Sequence, residues 1–248
     1  MIRDLWLIGI GTGSPAHVTL EGVTALREAA IILMPLKGCD KSDLAHLRQN
    51  IIAQSGTEAE VISFDYPQRD PALPYQDRVA AWHDEIAARW QAALANTNKS
   101  GPVALLVWGD PSLYDSTMRI AERLSPTPRI RVVPGITAVQ ALTAAHRIPL
   151  NTVDGPIQIT TGRRLRDANT VPRGTTMIVM LDGECSFQDL PNRDALCIWW
   201  GAYLGSADQI VHHGRLSDVT HEIIQIRQKA RAQHGWIMDT YMLRWLED

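Results

Sequence analysis

Runs of consecutive apolar residues, separated by stretches of helical periodicity, restrict this chain to few architectures. "DLWLIGIG", "AIILMPL" and "GPVALLV" hold apolar residues side by side instead of at every second position. A strand covered on one face alternates apolar and polar residues, whereas a strand covered on both faces does not. "EAEVISFDYP" and "RIRVVPGITA" read as two further strands. Helical patterns lie between them. Leu20, Val23, Leu26 and Ala30 have helical spacing, and "KSDLAHLRQNIIAQ" is amphipathic with Ser42 or Asp43 as its expected N-cap. "DRVAAWHDEIAARWQAALAN", "STMRIAERL" and "TAVQALTAAHRI" continue the alternation. The expected product is an α/β fold with a mostly parallel sheet and helices on both faces.

The texture changes after about position 150. "PIQITTGRR", "TTMIVMLDG", "ALCIWWGAYLG" and "DQIVHHGRL" are strand-like runs close together, and only the region of "VTHEIIQIRQKARAQHG" reads as helical. A second domain of mixed α/β character is expected, 1–150 and 151–248, with the boundary near "RIPLNTVDG". The closing "GWIMDTYMLRW" reads as a core segment. Asp239 inside it must find a partner or face a cavity, because an unpaired buried carboxylate is costly.

The totals exclude several classes. The 248 residues carry a net charge of −3, which does not suit a general nucleic-acid binder or a membrane-surface protein. No apolar run approaches the roughly 20 residues that span a bilayer. "MIRDLWLIGIG" lacks a signal-peptide core, so a cytoplasmic location is expected. Cys39, Cys185 and Cys197 are odd in number and far apart, which argues against a disulfide framework and a zinc site. Twenty arginines against four lysines would suit an anionic small molecule, although genomic base composition explains the same bias.

Three expected strand ends carry glycine turns. "IGIGTGSP" brings Gly9, Gly11 and Gly13 after the first strand. A dinucleotide fingerprint needs a further glycine where Ser14 stands, and an acid near the end of the second strand, where "MPLKG" offers Lys37. A tight turn without a nucleotide and an NAD(P)-linked oxidoreductase both stay open on this pattern. In "WGDPSLYDST", Gly109 allows close backbone approach, Asp110 offers a carboxylate, Pro111 stiffens the turn, Ser112 is a candidate cap and Leu113 a candidate apolar wall. A plain strand-to-helix turn would use the same residues. "VVPGITAVQAL" brings Pro134-Gly135, then Thr137 and Ala138. Ligands of open parallel sheets sit beyond the carboxyl ends of the strands, so these turns are candidates to line one crevice.

Other candidates lie further on. Arg163 and Arg164 of "TTGRRL", at an expected strand end, suit carboxylates or a solvated surface. "VMLDGECSF" offers Asp182 and Glu184 for acid–base work. Cys185 has no nearby histidine to activate it. "IWWGAYLGS" opens into Gly201, Tyr203 and Gly205. His212 and His213 in strand-like sequence point to opposite faces, so no shared metal is expected.

"IGIGTGSP", "WGDPSLYDS", "VVPGITAVQAL" and "MIVMLDG" together, in this order, resemble the markers of the tetrapyrrole methylases of cobalamin and sirohaem synthesis. The resemblance extends over nearly the whole chain. It implies the class III S-adenosylmethionine methyltransferase fold, two α/β domains with the cofactor in the cleft between them. It implies cofactor contacts from Trp108, Gly109, Asp110, Leu113, Thr137, Ala138, Leu181, Tyr203, Leu204 and Gly205. The first glycine loop then faces substrate, not a phosphate. That assigns Gly11, Thr12, Tyr114, Asp115, Arg163 and Arg164 to the substrate, an anionic tetrapyrrole. The reaction is transfer of a methyl group from sulfonium to an electron-rich ring carbon, which needs alignment and a dry cleft but no covalent residue. Candidates for accompanying acid–base steps are Asp110, Asp115, Asp182, Glu184 and Asp239, which the sequence does not rank. Many relatives have "GPGD" where this chain has "GTGS", so no base is expected at Ser14. Relatives commonly form homodimers. Neither a nucleic-acid nor a membrane partner is expected.

Overall fold

The computed structural model describes residues 2–36 and 42–246. Lys37 and Cys39 fall outside these residues, as do the side chains of Ser42 and Asp43, the expected helix caps. The chain divides into two compact units between Thr137 and Ala138.

The first unit contains β1 (Asp4–Gly9), α1 (Leu20–Glu28), β2 (Ile31–Leu36), α2 (Ser42–Ser55), β3 (Glu60–Asp65), α3 (Tyr75–Ala93), β4 (Val103–Val107), α4 (Thr117–Ala121) and β5 (Arg129–Val133). Its sheet has the order β3-β2-β4-β1-β5, with every pairing parallel. Parity along the strands distributes the core. Leu5, Leu7, Leu33 and Leu105 pack with Trp90 of α3 and Ile120 of α4. Ile8, Ile32 and Leu106 pack on the other face with Leu26 of α1 and Ile51 of α2. Successive side chains point to opposite faces, so burial of both requires the continuous apolar runs.

The second unit contains α5 (Ala138–His146), β6 (Ile157–Thr161), α6 (Gly162–Ala168), β7 (Thr176–Met180), β8 (Leu196–Ala202), β9 (Ile210–Arg215), α7 (Leu216–His234) and β10 (Asp239–Trp245). Its sheet has the order β6-β7-β10-β8-β9. β6 and β7 are parallel and the other pairs antiparallel, so the sheet is mixed. The last strand is central, and Tyr241 and Leu243 of β10 lie in the core. His212 and His213 alternate between half-buried and exposed, as period two requires.

Two details differ from the sequence expectation. Arg163 and Arg164 do not end a strand but form the first turn of α6, capped by the Thr161 hydroxyl. α5 belongs with the second unit, where His146 Nε2 lies 3.0 Å from the Trp200 carbonyl, and Leu142 faces Gly201. The division therefore falls before α5 and not near position 150. None of the described helices is long and apolar enough to cross a membrane.

Candidate functional site

The carboxyl ends of β1, β4 and β5, adjacent in the parallel sheet, bring the three glycine turns to one place. Gly11 and Gly109 exchange backbone hydrogen bonds, 2.8 Å from Gly109 N to Gly11 O and 3.3 Å in the other direction. Gly135 packs so closely that a Cβ on it would lie 2.1 Å from the Gly109 carbonyl oxygen. A Cβ on Gly9 would lie 2.6 Å from Gly135 N. The absence of side chains is thus used for contact between loops. Gly109 differs: its φ is +62°, and a Cβ there would meet nothing closer than 3.7 Å.

Asp110 ties this junction together. One carboxylate oxygen accepts from Ser112 N at 2.8 Å and from the Ser112 hydroxyl, and the other accepts from Gly135 N at 2.8 Å. Ser112 thus serves Asp110, while the helix-capping position before α4 is Ser116. Burial raises the Asp110 pKa, but the Ser112 and Gly135 donors outweigh it and leave the pKa below the ordinary 3.8. A depressed pKa stabilises the fold above the unfolded value, and this stabilisation is lost as pH falls through the folded value. The Asp110→Asn variant places an amide where one oxygen faced an N–H, so only one of the two loops can be held. It should be less stable at neutral pH, yet lose less stability than wild type from neutral pH to about pH 3. Denaturant titrations at the two pH values check this; equal losses would refute it.

The loop after β1 does not open directly into an α-helix. Ser14 caps a single 3-10 turn over Pro15–His17, its hydroxyl accepting from Ala16 N at 3.2 Å. α1 starts only at Leu20, with Thr19 accepting from Gly22 N. The helix N-terminus that a dinucleotide pyrophosphate requires is therefore displaced from the glycine loop. Thr12 Oγ1 lies 3.3 Å from His17 Nδ1. After β4, Tyr114 is exposed with φ +51°, and Asp115 Oδ1 accepts from Thr117 N at 2.6 Å. Trp108, Leu113, Thr137 and Ala138 are half-buried.

The candidate residues of the second unit cluster at the ends of β7, β8 and β10. Leu181 is 67% exposed with φ +54°. A large apolar residue in a strained backbone and open to solvent marks a ligand-contact candidate. Asp182 behind it is buried and fully engaged. It accepts from the Tyr241 hydroxyl at 2.6 Å, Ser186 N at 2.6 Å, the Ser186 hydroxyl at 2.8 Å and Glu184 N at 3.2 Å. Burial, with the Asp182 carboxylate beside it, pushes the Tyr241 phenol well above its ordinary range, which keeps it a donor. Glu184 is exposed and pairs with Arg166 at 3.2 Å. Asp239 finds its partner in Arg227, at 2.8 Å, and also accepts from Trp200 Nε1 at 3.0 Å. Arg227 also donates to the Asp182 carbonyl.

After β8, Tyr203 has φ +50°, and its hydroxyl donates to the Trp236 carbonyl at 2.5 Å. Tyr203 and Leu204 are buried, and Gly205 N donates to Gln209 Oε1. This turn thus presents backbone more than side chain. Burial pushes the Cys185 thiol to about 11, so it is protonated at neutral pH and is no nucleophile. Arg163 and Arg164 line an open cavity of about 560 Å³ with Gln158, Thr160 and Asp167. No cluster of metal-ligating side chains occurs among the described residues.

Sequence reasoning passed over Arg48 of α2, whose guanidinium lies 4.9 Å from the centre of the Trp108 ring. It also passed over Arg227. Both sit within apolar helical stripes, and a cation in such a stripe was the available signal.

A parallel sheet with closely packed glycine loops at its carboxyl ends and a mixed sheet with a strained, exposed strand end define a two-unit α/β protein. The chain belongs to the tetrapyrrole (corrin/porphyrin) methylases, whose family model matches residues 4–220. Members of this family are S-adenosylmethionine-dependent methyltransferases. The chain is 44% identical to a precorrin-6A synthase [deacetylating] of Sinorhizobium sp, over 98% of this chain and 95% of that protein. It superposes with a TM-score of 0.82 on the crystal structure of a cobalamin synthesis related protein (CobF) from Corynebacterium diphtheriae, 40% identical, each chain covered completely. A uroporphyrin-III C-methyl transferase of Thermus thermophilus, complexed with S-adenyl homocysteine, shares the fold at a TM-score of 0.62 and 16% identity, with 97% of this chain and 92% of that one covered.

Proposed function

We propose that this chain methylates precorrin-5 at ring carbon C1 and releases the acetyl group as acetate, giving precorrin-6A in cobalamin biosynthesis. The observation that carries this is the 44% identity to the deacetylating precorrin-6A synthase, sustained over nearly both full lengths. S-adenosylmethionine supplies an electrophilic methyl group, and the chain supplies binding, alignment and exclusion of water. We assign its contacts to Trp108, Gly109, Asp110, Leu113 and Thr137 in the first unit, and to Ala138, Leu181, Tyr203, Leu204 and Gly205 in the second. The exposed, strained Leu181 and the glycine junction at the sheet's carboxyl edge support this assignment. The displaced helix N-terminus after Gly13 speaks against the NAD(P) reading.

Loss of acetate requires water to attack the acetyl carbonyl, the ring carbon–acetyl bond to break, and its electron pair to return to the macrocycle. Asp110, Asp182 and Asp239 hold internal donors and act as positioning residues. We take Asp115, with one oxygen committed to Thr117 N, and the exposed Glu184, paired with Arg166, as the candidates for the base. Gly11, Thr12 and Tyr114 are assigned to the substrate, and Arg163 and Arg164 to its carboxylates. Arg164→Ala should raise KM for the tetrapyrrole about tenfold and leave S-adenosylhomocysteine affinity unchanged. Equilibrium binding of both ligands checks this. A cytoplasmic location and a homodimer belong to the same reading.

The deciding experiment is an anaerobic incubation with methyl-labelled S-adenosylmethionine and enzymatically made precorrin-5, read by mass spectrometry. A product with the label gained and the acetyl group lost, with acetate in solution, is expected. A labelled product that keeps its acetyl group would make this a methylase of another position.

A further inference from the structure

α2 carries an arginine on its inward face. Leu47, Ile51 and Ile52 of that face pack in the core, and Arg48 stands among them. Its guanidinium lies over the Trp108 ring, immediately before the Gly109-Asp110-Pro111 turn. Nε is sealed from solvent and has no hydrogen-bond acceptor among the described residues. Burial disfavours its charged form, while Tyr66 and then Asp115 favour that form. No ion pair to Arg48 occurs among the described residues. A largely desolvated cation normally has a counter-charge, and a cation–π contact replaces only part of it. Among the described residues Arg48 therefore lacks a counter-charge, which an anion would supply.

The neighbouring surface narrows the class of anion. Tyr66, just after β3, stacks on Trp82 of α3 with ring centres 5.9 Å apart and planes 17° apart. Arg69 lies over Trp82 at 4.2 Å. Trp108 after β4 and Trp82 of α3 thus each lie under an arginine, with Tyr66 stacked on Trp82. A macrocycle bearing acid arms suits such a surface, because guanidinium groups held over aromatic rings match its carboxylates.

We propose that Arg48 binds a carboxylate arm of the tetrapyrrole and so helps determine which macrocycle the enzyme accepts. This rests on the substrate class proposed above. The guanidinium is planar and offers paired donors that fit a carboxylate, which an ammonium does not. The Trp108 ring lies beneath the guanidinium, 4.9 Å from its central carbon.

The test compares wild type, Arg48→Met and Arg48→Lys. Methionine keeps a similar apolar stem in the α2 stripe, and lysine keeps the charge without the fork. Steady-state kinetics with precorrin-5 should show KM raised about ten- to hundredfold in Arg48→Met, partly restored in Arg48→Lys, with kcat within about threefold. Calorimetric affinity for S-adenosylhomocysteine should be unchanged, and thermal unfolding should confirm that both variants are folded. Unchanged KM in Arg48→Met would overturn the proposal. So would lost S-adenosylhomocysteine affinity with normal KM, which would place the cofactor carboxylate at Arg48. Titration with uroporphyrin III, a polycarboxylated macrocycle, separates this inference from the reading beneath it. Wild type that binds uroporphyrin III through Arg48 but does not turn over precorrin-5 would remove the proposed reaction and leave the Arg48 site standing. Uroporphyrin III binding that ignores Arg48 would overturn the site.

Discussion

Replacing Gly135 by alanine should disrupt the junction of the three loops, at a cost of about 3 kcal/mol or more. The added methyl would lie 2.1 Å from the Gly109 carbonyl oxygen and 2.8 Å from Gly9 backbone atoms. Backbone on both sides cannot rotate away as a side-chain tip can, so the loops must separate. Separation would break the 2.8 Å bond from Gly135 N to Asp110 and expose that carboxylate. Gly109→Ala is the control, because its methyl meets nothing closer than 3.7 Å. Its cost is the positive φ alone, about 1–2 kcal/mol. Denaturant unfolding should show the Gly135 variant much less stable than the Gly109 variant, and S-adenosylhomocysteine binding should fail in the former. Equal stabilities would mean that the loops are not packed backbone to backbone.

The Asp182→Ala variant should lose about 3–5 kcal/mol, because one deletion strands several buried donors. The Tyr241 hydroxyl, Ser186 N and the Ser186 hydroxyl all point at this carboxylate. Gly162 packs against it as well: a Cβ there would lie 2.3 Å from the Asp182 carboxyl carbon. Tyr241→Phe removes one donor from a carboxylate that keeps the others, and should cost about 1–2 kcal/mol. Near-ultraviolet circular dichroism during denaturation follows the loss, since Trp199, Trp200 and Trp245 lie in the same sheet. A small effect of Asp182→Ala would return this residue to the list of free catalytic acids.

Much of the fold was legible because burial on two faces leaves a one-dimensional trace. β1, β2 and β4 had to be interior strands, and the helices between them had to cover both faces. α6 was not legible: "GRRLRDA" buries only Gly162 and Leu165, so it has no apolar stripe to read. The place of α5 was hidden for another reason. Its apolar face marks a helix, but nothing in nine residues tells which sheet receives that face.

The site divides in the same way. The glycines at 9, 109 and 135 and the carboxylate at 110 are legible in the sequence as turn residues at strand ends, which a plain connection would also use. Their partnership is not visible there, because Gly135 N reaches an aspartate 25 positions earlier only once β4 and β5 flank β1. Asp239 announced that it needed a partner, and only the packing of α7 against β8 and β9 supplied Arg227. Periodicity, turn chemistry and strand burial are local quantities, so the sequence by itself determined the strand and helix types, the parallel sheet and the family. Which charges are paired, which glycines touch and which arginine lies over Trp108 with no ion pair among the described residues depend on contacts between distant segments. Those were decided only by the tertiary structure.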